Sequence, residues 1–197
     1  DRLFAIANDI IKIAAARELV NGIQINTDKK ILEDFQKSAG FDYTKDQKRS
    51  IKEIFTDLSS GRVMDRLLSG DVGFGKTEVA MNAMLAVILD GFQTIFVCPT
   101  TLLATQHYHS MQKRFSEFGI SIAKLDGKTN AKEKAHIKKG LESGEIKLVI
   151  GTHSLLEIRT NNLALVIIDE EHKFGVKQKE KLKHLREDVH IFSMSAT

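Results

Sequence analysis

Gly70-Asp71-Val72-Gly73-Phe74-Gly75-Lys76-Thr77 combines residue types and spacing that suit one task, the grip of a phosphate chain. A short loop with the pattern G-x-x-x-x-G-K-[ST] can curl so that its backbone N–H groups point inward. Glycines at 70, 73 and 75 permit the backbone angles and the close approach. If the loop feeds a helix, the free N–H groups and positive end of that helix face the same anion. Lys76 is then placed to reach the β- and γ-phosphates, and the Thr77 hydroxyl to ligate Mg²⁺. Average residue usage predicts well under about one chance match in a chain of this size.

A second group of reactive residues is Asp169-Glu170-Glu171-His172, directly after the apolar run Leu165 to Ile168. One carboxylate can hold a metal and the next can deprotonate an attacking water, so Asp169 is assigned to the metal and Glu170 to the base. An acidic strand end can also be a solvated turn, but the phosphate loop upstream favours the catalytic reading. His172 is expected to couple the nucleotide site to the closing string Ser193 to Thr197, through Ser195 and Thr197. Gln47 has two readings. It stands three residues after Thr44, the spacing of a capping box. Its amide can also read the edge of an adenine. Phe41, six residues before Gln47, and Glu78, directly after Thr77, are counted with the nucleotide contacts.

These groups need elements that deliver them to one place. Arg66 to Ser69 reads as a strand before the loop, and Lys76 to Leu89 as a helix with Val79, Ala80, Ala83, Met84, Val87 and Ile88 on its inner face. Apolar strands follow at 94–98, 121–125, 147–150, 165–168 and 189–192, separated by helical patterns at about 102–118 and up to Leu141. Continuous apolar strands alternating with helices predict a three-layer α/β domain with a mostly parallel central sheet and ligands beyond its carboxyl ends. Two further helices, Arg2 to Val20 and Asp28 to Ala39, precede a third capped by Thr44; residues 1–40 are read as a helical extension and 41–197 as the domain itself.

Composition sets outer bounds. The 197 residues are 42% hydrophobic and 28% charged, within the range of an ordinary folded domain with one good core. The longest apolar run, Ala83 to Leu89, is far too short to span a membrane. The lone Cys98 excludes an internal disulfide, and with no visible signal peptide the expected location is the cytoplasm. A formal net charge of +3 is a weak excess. Its lysines gather in two clusters, 128–139 and 173–186, which suit either a polyanion or a solvated helix face.

The order Gln47, Gly70 to Thr77, Pro99-Thr100-Thr101-Leu102-Leu103-Ala104, Gly151-Thr152-His153, Asp169-Glu170-Glu171-His172 and Ser195-Ala196-Thr197 resembles motifs Q, I, Ia, Ic, II and III of superfamily 2 helicases and translocases. Within them the spelling is similar to the family of bacterial transcription-repair coupling factors. The strings that carry this are Met64-Asp65-Arg66-Leu67, the loop with Phe74 followed by Glu78-Val79-Ala80, and Asp169 to Val176. RecG-type branch-migration translocases are a near alternative, usually with a small residue where Phe74 stands.

The resemblance implies a RecA-like phosphate-loop domain, ATP and Mg²⁺, and a motor that walks on double-stranded DNA. In that family the motor displaces stalled RNA polymerase and recruits excision-repair proteins through domains outside this chain. Thr100, Thr101, Lys128 in the turn after Gly127, Thr152 and His153 would contact the DNA backbone. The chain is expected to be the first of two such domains, ending on motif III. Without the second domain's arginine, worth about 10³ to 10⁵ in rate, it should bind ATP or ADP weakly and turn it over slowly. A phosphate-loop kinase would need an acceptor site that no spare cluster supplies; a non-catalytic nucleic-acid-binding module stays open.

Overall fold

The computed structural model describes residues 2–19, 21–71, 74–158, 160, 162–170 and 188–196. Val72, Gly73, His172, Thr197 and the second lysine cluster lie outside them. Three helices come first: α1 (Arg2–Leu19), α2 (Lys30–Lys37) and α3 (Lys45–Ser59). Strands and helices then alternate: β1 (Asp65–Gly70), α4 (Lys76–Leu89), β2 (Gln93–Val97), α5 (Thr101–Ser116), β3 (Ile122–Leu125), α6 (Ala131–Ser143) and β4 (Leu148–Gly151). A short 3-10 helix at His153–Glu157 leads to β5 (Leu163–Asp169) and β6 (His190–Ala196).

Among the described residues the sheet has six strands in the order β1-β6-β5-β2-β4-β3, and each of its pairings is parallel. Parallel neighbours require crossovers, so helices cover both faces and the central strands are apolar throughout. The side-chain period of two sorts each strand between two cores. Phe96, Cys98, Leu148, Ile150, Leu165 and Ile167 face the α2, α4 and α5 side. Ile95, Val97, Val149, Val166 and Ile168 face α6 and the 3-10 helix. The three-layer α/β expectation is met. Strands β3 and β4 approach closely at Gly151, where a Cβ would stand 1.8 Å from the carbonyl oxygen of Leu125 on β3.

Two elements differ from the sequence reading. Helix α4 is buried from Glu78 to Ile88 on every side rather than along one stripe, because α2 and α3 pack on the side turned away from the sheet. Strand β6 continues to Ala196, past the expected end at 192, because β1 pairs with it from Ile191 to Ala196.

The N-terminal segment divides near residue 20. Leu3, Phe4, Ile6, Ile10 and Ile11 of α1 are exposed. From Asn21 onward the chain belongs to the core: Ile25, Leu32 and Phe35 are fully or almost fully buried. Ile25 N–H donates to the Leu58 carbonyl at 2.9 Å, and Gly22 N–H to that of Gly61 at 2.9 Å. His190, with no exposure, accepts from Met64 N–H at 2.9 Å through Nδ1 and faces the Ile23 carbonyl at 2.6 Å through Nε2. Those partners place its proton on Nε2, and the imidazole ties residues 21–25 to β1 and β6.

Phe35 stacks on Phe115 of α5 at 5.5 Å between ring centroids and meets Phe118 edge-on at 5.4 Å. Phe35→Ala is expected to lower stability by about 3–5 kcal/mol, while Phe4→Ala in α1 changes it by less than about 0.5 kcal/mol. Urea unfolding of the two variants measures the difference.

Candidate nucleotide site

Strand β1 ends at Gly70, where the phosphate loop begins, and α4 starts at Lys76, so the loop occupies the carboxyl edge of the sheet. Gly75 precedes α4 at φ 78°, the left-handed region, and a Cβ there would lie 2.2 Å from Gln47 Nε2. The left-handed φ is what favours glycine here, since the Gln47 amide is the far end of a flexible side chain. Phe74 folds its ring over Gly70, and its N–H donates to the Asp71 carbonyl at 3.0 Å. Lys76 Nζ donates to the carbonyls of Gly70 at 2.8 Å and Asp71 at 3.3 Å. Its ammonium is thus already at the mouth of the loop, above the free N–H groups of α4, where positive potential concentrates.

Strand β6 lies between β1 and β5. In register, Gly70 faces Ala196 on one side of β6 and Asp169 faces Met194 on the other. At ordinary strand spacing the loop and Asp169 are about 10 Å apart across the same edge. Ser195 sits opposite Ser69, between the two. Asp169 is 8% exposed, and a buried carboxylate needs a partner. Its partner is His107 of α5, whose Nε2 is 2.8 Å from Asp169 Oδ2. Glu170 follows at φ 53°, a left-handed conformation that costs a glutamate about 1 kcal/mol or more.

Gln47 makes the expected cap. Its N–H donates to Thr44 Oγ1 at 3.1 Å and its Oε1 accepts from Thr44 N–H at 2.9 Å, a complete capping box. Its Nε2 lies 3.5 Å from the Gly75 carbonyl, against the loop. Phe41 is exposed, with its ring 5.8 Å from that of Tyr43, beside a hollow of about 550 Å³ that Glu33, Lys37 and Lys48 also border.

Glu78, expected among the nucleotide contacts, has its carboxylate elsewhere. It accepts from the Tyr43 hydroxyl and from Arg114 of α5, an ion pair with little solvent access. Asn82 Nδ2 donates to the Tyr43 oxygen at 3.2 Å and Gln36 Nε2 to Asn82 Oδ1 at 3.0 Å. Arg114 also stacks over the Phe35 ring at 3.9 Å and donates to the Phe35 carbonyl at 3.1 Å. The group therefore locks α2, α4 and α5 together behind the loop.

The other half of the edge collects the remaining expected residues. Thr100 caps α5 by accepting from Leu103 N–H at 3.2 Å, with Thr101 beside it after β2. Thr152 follows β4 and is nearly buried, and His153 after it is exposed. Lys128 is in the turn after β3, where its N–H donates to Asp126 Oδ1 at 2.8 Å. Strands β2, β4 and β3 are adjacent, so these groups line one continuous stretch next to Asp169. Sequence reasoning missed His107, Tyr43 and Arg114, since no spacing links 107 to 169 or 114 to 78. No helix among the described residues is long and apolar enough to cross a membrane.

Three comparisons agree with this geometry. The DEAD/DEAH box helicase family pattern matches residues 44–197. The transcription-repair-coupling factor of Helicobacter pylori (strain J99) is 53% identical over 196 residues, along 100% of this chain and 20% of that protein. The ATP-dependent DNA helicase RecG of Thermotoga maritima is 46% identical over 199 residues, along 100% of this chain and 26% of that protein. A solved structure of RecG bound to a three-way DNA junction superposes with a TM-score of 0.84 at 44% identity, covering 94% of this chain and 25% of that one. The chain spans about a fifth of the length of the coupling factors it matches.

Burial and the hydrogen bond to Glu78 push the Tyr43 hydroxyl well above the usual tyrosine range. The folded state thus keeps a proton that the unfolded state loses near pH 10, so stability is full below about pH 10 and falls as pH rises beyond it. Tyr43→Phe is expected to flatten that alkaline limb in thermal melts taken across pH 9–11.

Proposed function

The chain belongs to the DEAD/DEAH box helicase family, and from that premise we propose that it is the first, ATP-binding motor domain of a cytoplasmic double-stranded DNA translocase. The whole protein displaces stalled RNA polymerase and brings excision-repair proteins to the lesion. The observation that carries this reading is the sheet order, in which β6 alone separates the phosphate loop from Asp169-Glu170. Residues 1–40 lead into the motor, with α1 as the outlying part.

The residues suit the nucleotide and metal that the family implies. Glycine at 75 leaves room beside Gln47, and Thr77 and Asp169 supply hard oxygen donors appropriate to Mg²⁺. When bound, the metal neutralises charge on the phosphate oxygens. The loop from Gly70 to Gly75, Val72 and Gly73 included, is the part of the chain assigned to the phosphates. Lys76 exchanges its two carbonyl partners for phosphate oxygens. Glu170 takes the proton of the attacking water. Gln47 and Phe41 receive the base, and His172, Ser195 and Thr197 pass the state of the site along the edge. Thr100, Thr101, Lys128, Thr152 and His153 hold DNA phosphates, contacts that position without reading sequence. This chain by itself turns ATP over slowly, because an arginine from a second domain belongs to the complete site.

Glu170→Gln in the full-length protein is expected to keep ATP binding and to lower DNA-stimulated hydrolysis by about 10² to 10⁴, with loss of polymerase displacement. Unchanged hydrolysis would refute the motor reading. Branch migration of a DNA junction without displacement of a stalled polymerase would favour the RecG-type alternative.

His107→Ala is expected to weaken metal-dependent nucleotide binding by about 10- to 100-fold, because Asp169 loses the group that orients it. Calorimetric titration with nucleotide, with and without the metal, separates that effect from a general loss of affinity.

A further inference from the structure

Cys98 takes no part in the nucleotide chemistry, yet it stands at the centre of the edge. The residue before it, Val97, pairs with Ile168, which brings Cys98 alongside Asp169. Helix α5 lays His107 over the same point, with its ring 5.0 Å from that of Phe96. A sulfur, an imidazole nitrogen and a carboxylate oxygen from these three residues all lie within 4.8 Å of one another. Two of the three residues are buried and the third is partly so.

We propose that Cys98, His107 and Asp169 form a binding site for a thiophilic divalent transition metal of the Zn²⁺ class, and that its occupation takes Asp169 away from the nucleotide. Tetrahedral zinc with bonds of about 2.0–2.3 Å holds its donors roughly 3.3–3.7 Å apart. From within 4.8 Å the sulfur closes by at most about 1.5 Å, and the His107–Asp169 pair, now at 2.8 Å, opens by less than about 1 Å. Sulfur and imidazole select zinc or cobalt over Mg²⁺, which prefers oxygen donors and keeps its waters.

Burial, and next the negative charges of Asp169 and Glu170, push the Cys98 thiol up, so without a metal it is a neutral thiol and a poor nucleophile. A divalent cation among those carboxylates reverses the balance. The Cys98 S–H bond breaks, an S–metal bond forms and the proton passes to solvent. Bound through Nε2, His107 remains a neutral imidazole with its proton moved to Nδ1; bound through Nδ1, it keeps the proton on Nε2. No electrons are transferred. The fourth position stays open to water, as in sites with three protein ligands.

Metal binding stands on this geometry alone, whereas its effect on hydrolysis rests on the role proposed for Asp169. Co²⁺ added to the full-length protein is expected to give a thiolate-to-metal charge-transfer band that saturates stoichiometrically. Zn²⁺ should abolish the band, and excess Mg²⁺ should not. Cys98→Ala should remove it and weaken Co²⁺ binding at least about 100-fold, with far-ultraviolet dichroism and the thermal midpoint confirming the fold; His107→Gln should weaken binding to a similar extent. A Co²⁺ complex without a thiolate band, or a Cys98→Ala protein that binds as the parent does, would overturn the inference. Because this readout is spectroscopic, the site survives if Glu170→Gln leaves hydrolysis intact, and the motor reading survives if the band never forms.

Discussion

The parallel pairing of β6 on both sides is the constraint from which the site follows. Ile191 to Ala196 pair with β1 and His190 to Met194 pair with β5. Strand neighbours are about 4.8 Å apart, so one inserted strand sets the separation of the phosphate loop and the acidic pair. Because all the strands run the same way, every carboxyl end points to one edge. Crossover helices then have to return on the faces, which dries both sides of the sheet and leaves the edge as the place where polar groups meet water.

That edge is electrostatically divided. The N-terminus of α4 and Lys76 make one side positive, while Asp169 and Glu170 make the other negative. Each side has a local device that keeps it in place. Lys76 is held by two loop carbonyls, and Asp169 by His107, which is itself packed on Phe96. These polar contacts can be exchanged for ligand atoms that are themselves charged, since a hydrogen bond to a charged group is worth about 1.5–3 kcal/mol. The backbone beneath them is fixed by the sheet and does not need to move.

Behind the loop, the contacts of Glu78 with Tyr43 and Arg114 give the N-terminal segment a structural role. Arg114 belongs to α5, whose first turn carries Thr100 and Thr101 at the strand edge and whose second carries His107. One helix therefore touches α2, the metal-side carboxylate and the outer stretch of the edge. Burial of an ion pair is costly unless every donor and acceptor is used, and here Phe35, Ser38, Asn82 and Tyr43 complete it.

The phosphate loop, the alternation of apolar strands with helices, and the Thr44 cap were legible in the sequence because each is a local matter. Glycine placement, hydrophobic period and capping spacing act over a few residues. Those local rules also located the carboxyl ends where Asp169 and Thr152 stand. They could not say that β6 separates β1 from β5, that Glu78 turns away from the loop toward Arg114, or that residues 21–40 belong to the core. Nor could they join Cys98, His107 and Asp169, which are brought together by strand register and by the angle at which α5 packs. Local propensity determines which segment becomes which element, whereas strand order and helix docking depend on how all the buried faces fit at once. That collective choice, made by the core, decides which distant side chains meet.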